Sequence, residues 1–305
     1  MVEEYIVSGD RAGQRIDNFL MGHFKGVPRS RIYKALRKGE VRVNKSRVKP
    51  TYRLATGDRI RIPPLKTKEV STGSFYISHK LRQTILDAII FEDDDIMVLD
   101  KPAGLPVHGG SGVAIGLIEA LRVVCNDRPY LELVHRLDKG TSGCLIVAKQ
   151  RHVLRYLHEL LLSRRMDKQY LALVKGHFPM ALREIDEPLL KNDLQGNERM
   201  VRVTASGKKS VTHVKFLAHY DAMSLVLAKP ITGRTHQIRV HLAYQGYPIV
   251  GDHKYGDDAF NRASGIKRLM LHSASICFPL KDDSRSFGIG VRSCEFISQV
   301  KSSSL

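Results

Sequence analysis

Asp138 is the residue of this sequence best placed to do chemistry. It lies in VHRLDKGTSGCLIVAK, residues 134–149. In this stretch an apolar segment is followed by a cluster of charged residues, a predicted Gly-Thr-Ser-Gly turn and a second apolar segment. This pattern predicts a strand, a loop and a strand, with the carboxylate at a strand end. Because Arg136 and Lys139 flank it, an ionised carboxylate is favoured, which suits a nucleophile or a base better than an acid. The alternative interpretation is that Asp138 only caps the turn and pairs with Arg136 on the surface.

Two later segments contain further candidates. Tyr170 lies in DKQYLALVKG, whose alternation predicts a strand, and a packed aromatic with a satisfied hydroxyl is its ordinary role. Arg239 lies in RTHQIRVHL, which predicts a helix with Thr235 as its N-cap. His236 and His241 are five positions apart with no carboxylate beside them, so the spacing does not favour a metal site.

The amino-terminal fifth of the chain carries most of the formal net charge of +18. Residues 11–62 contain 15 Lys or Arg and 3 Asp or Glu. Their apolar spacing predicts two short helices, the second opening at Pro28 and ending at Gly39, followed by short strands. Five cations crowd the second helix: Arg29, Arg31, Lys34, Arg37 and Lys38. Because like charges repel without a partner, this pattern favours RNA binding over a merely solvated charged face.

The composition limits the class of protein. A chain of 305 residues with 43% hydrophobic content can bury a large core, and its length favours two domains. We find no apolar run long enough to span a membrane and no signal-peptide pattern in residues 1–10, so neither membrane insertion nor secretion is expected. Four scattered cysteines without a CxxC pair are typical of a reducing cytoplasm and argue against structural zinc.

HRLD followed by TSG and an apolar strand resembles the signature of the RluA family of pseudouridine synthases. Other segments resemble the same family, namely KPAGLPVH at 101–108, DKQYLALVKG at 167–176 and TGRTHQIRVH at 232–241. RIDNFL, SRIYKALRKGEVRVN and GDRIRI resemble the S4 RNA-binding domain. Residues 279–305 depart from the family pattern, since they lack a proline-containing strand and a terminal amphipathic helix.

The resemblance implies an α+β fold. We predict an S4-like RNA-binding domain at residues 13–63, a linker at 64–82 and a pseudouridine synthase catalytic domain at 83–305. The catalytic domain is expected to contain a mixed, mostly antiparallel sheet flanked by helices. The strands are too irregularly interrupted by helices for a regular βαβ alternation.

The resemblance also implies a catalytic set. Asp138 matches the essential carboxylate, Tyr170 the ring that packs beneath the target uracil, and Arg239 the partner that keeps the carboxylate ionised. Asp138 would either attack the ribose or abstract its 2′ proton, and the sequence does not choose between these routes. No metal and no cofactor are expected, because the isomerisation oxidises nothing and transfers no external group.

RNA contacts follow from the same resemblance. Arg136 is expected to help extrude the uridine and to occupy the vacated space, and Arg234 is assigned to RNA binding. His135 is either a loop-packing residue or a base contact. Within the family, the S4-like module together with PVHGGSG and LLKN resembles enzymes that modify 23S RNA of the large ribosomal subunit. The expected partner is therefore 23S ribosomal RNA, bound by a monomer.

Two other classes of function stay open. A non-catalytic RNA-binding assembly factor would retain the basic module but would not need Asp138. A nucleoside glycosidase or a nuclease would also use a carboxylate, but it would release free base or cleave the chain. Isomerisation changes neither the mass nor the length of the RNA, so product analysis separates these classes.

Overall fold

The computed structural model describes residues 3–24, 27–64, 77–109, 115–195, 198–280 and 286–291. The chain divides into two compact units, Met1–Tyr76 and Ile77–Leu305. Each unit has its own hydrophobic core, as separately folded domains do. Within the described ranges, no helix is long and apolar enough to cross a membrane.

The first unit packs two helices on a small antiparallel sheet. Its elements are β1 (Glu3–Ile6), a 3₁₀ turn (Gly9–Arg11), α1 (Ile16–His23), α2 (Arg29–Lys38), β2 (Arg42–Val43) and β3 (Arg59–Ile62). Strand β3 is central and pairs with both β1 and β2. Gly39 ends α2 with φ 69°, a left-handed conformation that glycine adopts without strain. The predicted order of helix, helix and hairpin is confirmed, and β1 is a strand that the sequence analysis missed.

The second unit contains the remaining elements. Its described helices are α3 (His79–Asp87), α4 (Leu117–Val124), α5 (Arg151–Leu162), α6 (Gln237–Tyr244) and α7 (Asp258–Ser264). Its described strands are β4 (Ile89–Glu92), β5 (Ile96–Lys101), β6 (Glu132–Leu133), β7 (Ser142–Ala148), β8 (Asp167–Lys175), β9 (Glu184–Asp186), β10 (Leu189–Gln195), β11 (Glu198–Val203), β12 (Val211–Tyr220), β13 (Met223–Pro230), β14 (Leu271–Pro279) and β15 (Ser286–Gly290).

Ten of these strands form one sheet in the order β4-β5-β7-β14-β8-β13-β12-β9, with β6 also on β7 and β15 on β14. Among the described strand pairs, β7 with β14 is the one parallel pair. Strands β10 and β11 form a separate hairpin. The predicted α+β fold with a mixed, mostly antiparallel sheet is confirmed.

Strand β7 supports the loop that carries Asp138. Leu145 and Val147 pack in the same cluster as α4, whereas Cys144 and Ile146 pack with α5. This division follows the alternation of side chains along a strand. All of β7 is buried, as expected of a strand covered on both faces. The loop that precedes β7 therefore starts from rigid support.

The glycine of the TSG segment, Gly143, lies at the start of β7 and cannot be replaced by a larger residue. It has φ 104°, and a Cβ atom there would lie 2.2 Å from the carbonyl oxygen of Ser273 on β14. The parallel pairing of β7 with β14 places these two residues opposite each other. A side chain at this position would clash with the neighbouring backbone, so glycine is required.

Two boundaries differ from the predictions. The linker was predicted to extend to residue 82, but α3 begins at His79, because the Ser78 hydroxyl accepts the N–H of Leu81 and caps the helix. Residues 65–76 of the predicted linker lie outside the described residues. At the other end of the chain, β15 pairs antiparallel with β14, although no such strand was predicted for residues 279–305.

Candidate active site

Asp138 lies in the loop between β6 and β7, and its contacts come from distant parts of the chain. Its backbone carbonyl accepts the N–H of Thr141 at 3.1 Å, which closes a turn over residues 138–141, two positions before the predicted turn at 140–143. Nη1 of Arg239 donates to Oδ2 of Asp138 at 3.2 Å. The Arg239 and Asp138 side chains are only 11% and 19% exposed. The cation that contacts the carboxylate therefore comes from α6, 101 positions along the chain.

A second carboxylate holds Arg239. Nε and Nη2 of Arg239 donate to the two oxygens of Asp252, each at 2.8 Å, in a bidentate pair. Asp252 is 1% exposed and also accepts the backbone N–H groups of Lys254 and Tyr255. Although burial opposes ionisation, the hydrogen bonds from Arg239 keep the pKa of Asp252 below its ordinary value. Sequence reasoning missed Asp252, for which the available signal was a lone acid after Gly251 in GDHKYG.

Helix α6 begins at Gln237, and the prediction of Thr235 as its N-cap is wrong. The N-cap is His236, with φ 54° and ψ 18°. This left-handed region is unfavourable for a β-branched residue such as threonine and is used more often by histidine. Gln237 is buried, and its Oε1 accepts the N–H of Arg234 at 3.0 Å. The start of the helix, and hence the position of Arg239, is fixed by these contacts.

Lys101 ties the Asp138 loop to the KPAGLPVH loop. Its side chain is fully buried. Its Nζ donates to the carbonyl oxygens of Pro102 and Leu105 at 2.8 Å and of Lys139 at 3.2 Å. Burial lowers the pKa of Lys101 to about 7. Because Lys139 directly follows Asp138, this buried amine fixes the backbone beside the carboxylate.

Tyr170 lies on β8, opposite Ala228 on one side and Ser273 on the other. Its side chain is 9% exposed and lines the same cleft as Asp138. Burial raises the pKa of Tyr170 to about 12, so its hydroxyl is protonated at neutral pH. The strand holds the ring beside the carboxylate, as a stacking platform would require.

His135 and Arg136 occupy opposite environments within one loop. Nε2 of His135 accepts the backbone N–H of Ile146 on β7 at 3.2 Å. Burial lowers the pKa of His135 to about 3, so the ring is neutral and packs the loop against the strand. Arg136 is exposed at the edge of the cleft, as is Arg234 at the start of α6.

These side chains converge on a cleft of about 630 Å³. Every site residue predicted in the second unit lines it: His135, Arg136, Asp138, Tyr170, Arg234 and Arg239. The walls contain four further cations: Arg164, Arg165, Lys168 and Lys229. These cations outnumber the two acids in the walls, Asp138 and Asp167, and Asp167 pairs with Lys229 at 2.9 Å. The excess of positive charge fits a polyanionic ligand that brings its reacting group to Asp138.

The other predicted RNA contacts lie on α2 of the first unit. Four of them are exposed: Arg29, Lys34, Arg37 and Lys38. The opposite face of the helix buries Ile32, Ala35 and Leu36. Nη2 of Arg31 pairs with Oε2 of Glu40 at 2.7 Å, so an acidic side chain already offsets its charge. RNA binding by this face stays a prediction.

Comparisons with known proteins agree with the geometry. Residues 95–244, which include Asp138, Tyr170 and Arg239, match the family model for RNA pseudouridylate synthase, and residues 14–60 match the S4 domain. Ribosomal large subunit pseudouridine synthase C of Escherichia coli (strain K12) is 50% identical to this chain over 277 residues, which are 89% of this chain and 87% of that protein.

Solved structures are also similar to this chain. Human RNA Pseudouridylate Synthase Domain Containing 4 matches with a TM-score of 0.61 and 25% identity, covering 74% of this chain and 95% of that chain. Human RNA Pseudouridylate Synthase Domain Containing 1 matches with a TM-score of 0.58 and 29% identity, covering 68% and 83%. The resemblance predicted from the sequence is confirmed, and the chain belongs to the RNA pseudouridylate synthase family.

Proposed function

We propose that this protein converts uridine to pseudouridine at specific positions of 23S ribosomal RNA in the large subunit. The observation that carries this proposal is Asp138, held by Arg239 at 3.2 Å and facing the same cationic cleft as Tyr170. The 50% identity to a synthase named for the large ribosomal subunit supports the substrate class. The S4 domain supports an RNA rather than a free nucleoside as the substrate.

The reaction needs one ionised carboxylate and close control of position. The N1–C1′ bond of the uridine breaks, the uracil rotates, a C5–C1′ bond forms, the C5 proton leaves to solvent, and N1 takes up a proton from solvent. Asp138 acts either by attacking the ribose or by removing its 2′ proton, and both routes require the ionised form. Arg239 fixes the orientation of the carboxylate through its 3.2 Å hydrogen bond.

The remaining residues handle the base and the backbone. Tyr170 supplies the surface on which the extruded uracil stacks, because a base removed from its helix needs a new apolar neighbour. Arg136, exposed at the edge of the cleft, occupies the space that the uridine leaves. His135 holds the loop, and Arg234 binds phosphate together with the exposed cations of α2.

The two alternative classes explain less of the site. An RNA-binding assembly factor needs cationic surfaces but has no use for an arginine held by Asp252 and directed at a second carboxylate. A nuclease would act at a phosphate, whereas the cleft combines the carboxylate with an aromatic platform suited to a base.

Tritium release from protein-free large-subunit RNA labelled at C5 of uridine tests the proposal. Wild-type protein is expected to release tritium and leave the RNA unchanged in mass and length, whereas Asp138→Asn binds the RNA without release. Equal release by both proteins would remove Asp138 from its role. Tight, salt-sensitive binding with no release by the wild type would support the assembly factor, and free uracil or shortened RNA would support a hydrolase.

We also infer a cytoplasmic monomer whose synthase domain follows the S4 domain through the linker. The scattered cysteines support this location, and Cys125 and Cys144 are buried free thiols. Light scattering of the purified protein tests the monomer, since a mass of twice 34.3 kDa would contradict it. Limited proteolysis tests the proposed order of S4-like domain, linker and catalytic domain, with cleavage expected first between residue 64 and the start of α3 at His79.

A further inference from the structure

His236 lines the cleft but has no part in the roles assigned above. It is the N-cap of α6, and its side chain is 17% exposed. Its Nε2 lies 3.8 Å from Oδ2 of Asp138. This separation is longer than a hydrogen bond, but contacts of this kind in catalytic sites often tighten once substrate is bound.

The Tyr255 hydroxyl contacts the ring nitrogen of His236 that faces away from Asp138. The backbone N–H of Val201 on β11 donates to the Tyr255 hydroxyl oxygen at 3.0 Å. The hydroxyl proton is then available for Nδ1 of His236, which lies 2.8 Å away. Burial lowers the pKa of His236, so the ring is neutral near pH 7. Because Nε2 faces the Asp138 carboxylate oxygen at 3.8 Å, the favoured tautomer has Nδ1 accepting from Tyr255 and the ring proton on Nε2.

Two donors thus approach the same oxygen of Asp138. Nη1 of Arg239 lies 3.2 Å from Oδ2 and Nε2 of His236 lies 3.8 Å from it. Tyr255 contacts both donors, because the Arg239 guanidinium also lies 5.0 Å from the centre of its ring. Neither contact involves Oδ1.

We propose that His236, oriented by the Tyr255 hydroxyl, is a positioning residue that holds Oδ2 of Asp138 together with Arg239, so that Oδ1 faces the ribose. This inference rests on the proposed catalytic role of Asp138. His236 does not serve as the base, because the lone pair of its neutral ring lies on Nδ1 and is occupied by Tyr255. It donates a hydrogen bond and leaves proton removal to the carboxylate.

The sharpest test is Tyr255→Phe, which deletes the hydroxyl and keeps the ring that Arg239 contacts. The single-turnover rate of tritium release is expected to fall about tenfold, the worth of one well-placed hydrogen bond. The Kd for RNA should stay at its wild-type value, and the melting temperature should fall only slightly, because the backbone N–H of Val201 loses its acceptor. Tyr156→Phe is the matched control, because its hydroxyl donates to the Pro279 carbonyl at 2.9 Å and Tyr156 does not line the cleft. Its rate should be unchanged.

Substitutions of His236 test the same contact from the other side. His236→Gln keeps a donor near the position of Nε2, whereas His236→Leu removes it, and both side chains are unbranched at Cβ. The glutamine variant should therefore retain more activity than the leucine variant. Adding Tyr255→Phe to His236→Leu should cause no further loss, because the hydroxyl acts through the imidazole.

Nitrogen-15 NMR of His236 gives a readout that does not depend on activity. The wild type should show a neutral ring protonated on Nε2, and Tyr255→Phe should show a mixture of tautomers. A wild-type rate for Tyr255→Phe, additive losses in the double variant, or a ring protonated on Nδ1 would each overturn the inference. Tritium release by Asp138→Asn would instead overturn the proposed function itself, so the two failures are distinguishable.

Discussion

Replacing Asp252 with asparagine separates the support of the site from its chemistry. The substitution keeps the size of the side chain but removes the charge opposite Arg239. It also turns one acceptor oxygen into a donor, although all four recorded contacts of the carboxylate require acceptors. One N–H of Arg239 or of the neighbouring backbone would then face another donor. The variant therefore deprives the buried guanidinium of its bidentate carboxylate partner.

The expected loss of stability follows from burial. Asp252 is 1% exposed and the Arg239 side chain 11%, so solvent screens the pair little. Removing one partner of a buried pair costs about 3–5 kcal/mol, and because asparagine keeps one acceptor we take the lower end. For a domain of this size that corresponds to a fall in melting temperature of roughly 10 °C. Displacement of Arg239 by about 1 Å would lower the rate on the order of 100-fold.

Asp138→Asn is the matched control for this prediction. Asp138 is 19% exposed, and its side-chain hydrogen bond to Arg239 is 3.2 Å long. Losing that bond costs about 1 kcal/mol, a shift of roughly 4 °C or less, while tritium release should vanish. Asp252→Asn should therefore lose much more stability than Asp138→Asn, whereas Asp138→Asn should lose all tritium release. Melting of Asp252→Asn within roughly 3 °C of the wild type would refute the argument.

Melting temperature as a function of pH checks the same assignment. The pKa of Asp252 is lowered in the folded protein, so its contribution to stability is complete above the ordinary aspartate value of about 4. That contribution is lost as the pH falls through the folded-state pKa. The difference between wild type and Asp252→Asn should therefore be constant from pH 6 to 8 and should shrink below about pH 4. A difference that grows on acidification would contradict the assigned direction.

Three further predictions concern the supports of the site and the RNA-binding face. Gly143→Ala should prevent folding of the synthase unit, whereas Gly104→Ala, which also has positive φ but open space around its Cβ, should cost about 1 kcal/mol in urea denaturation. Lys101→Met should destabilise the protein, and the difference in unfolding free energy from the wild type should widen from pH 7 to 10. In that range Lys101 of the wild type is protonated in the unfolded chain but neutral in the folded protein, so the stability of the wild type rises with pH. Replacing Lys34 and Arg37 with alanine should reduce the slope of log K against log salt for RNA binding by about 1.5 without changing melting.

Local patterns were enough to predict the Asp138 loop. The apolar runs on either side of HRLD and the glycine-rich segment are properties of neighbouring residues, and the structure forms the strands from these runs. The apolar spacing and terminal Gly39 likewise predicted α2. The link between Asp138 and Arg239 came from the family resemblance, since no local pattern connects positions 101 residues apart.

The missed features depend on tertiary contacts. Asp252 follows a turn and has no periodic pattern of its own, so its pairing with Arg239 could not be predicted from neighbouring residues. Threonine is a residue type that often caps helices, which is why Thr235 was predicted as the N-cap. The hydrogen bond between the Arg234 N–H and the Gln237 side chain instead accompanies a helix that begins at Gln237, with His236 as its N-cap. Strand β15 forms because β14 offers it an edge, and the sequence around it does not reveal that edge.

Asp252 also explains how Arg239 can orient Asp138 without disabling it. A guanidinium with no other partner would bind the Asp138 carboxylate with its full charge and make it a weaker nucleophile and base. Asp252 takes two of the donor groups of Arg239 at 2.8 Å and leaves Nη1 for Asp138 at the longer distance of 3.2 Å. The two carboxylates and the guanidinium together carry one net negative charge, and Asp138 is the most exposed of the three side chains. The buried pair therefore fixes direction, while the reactive charge stays on the carboxylate that the RNA can reach.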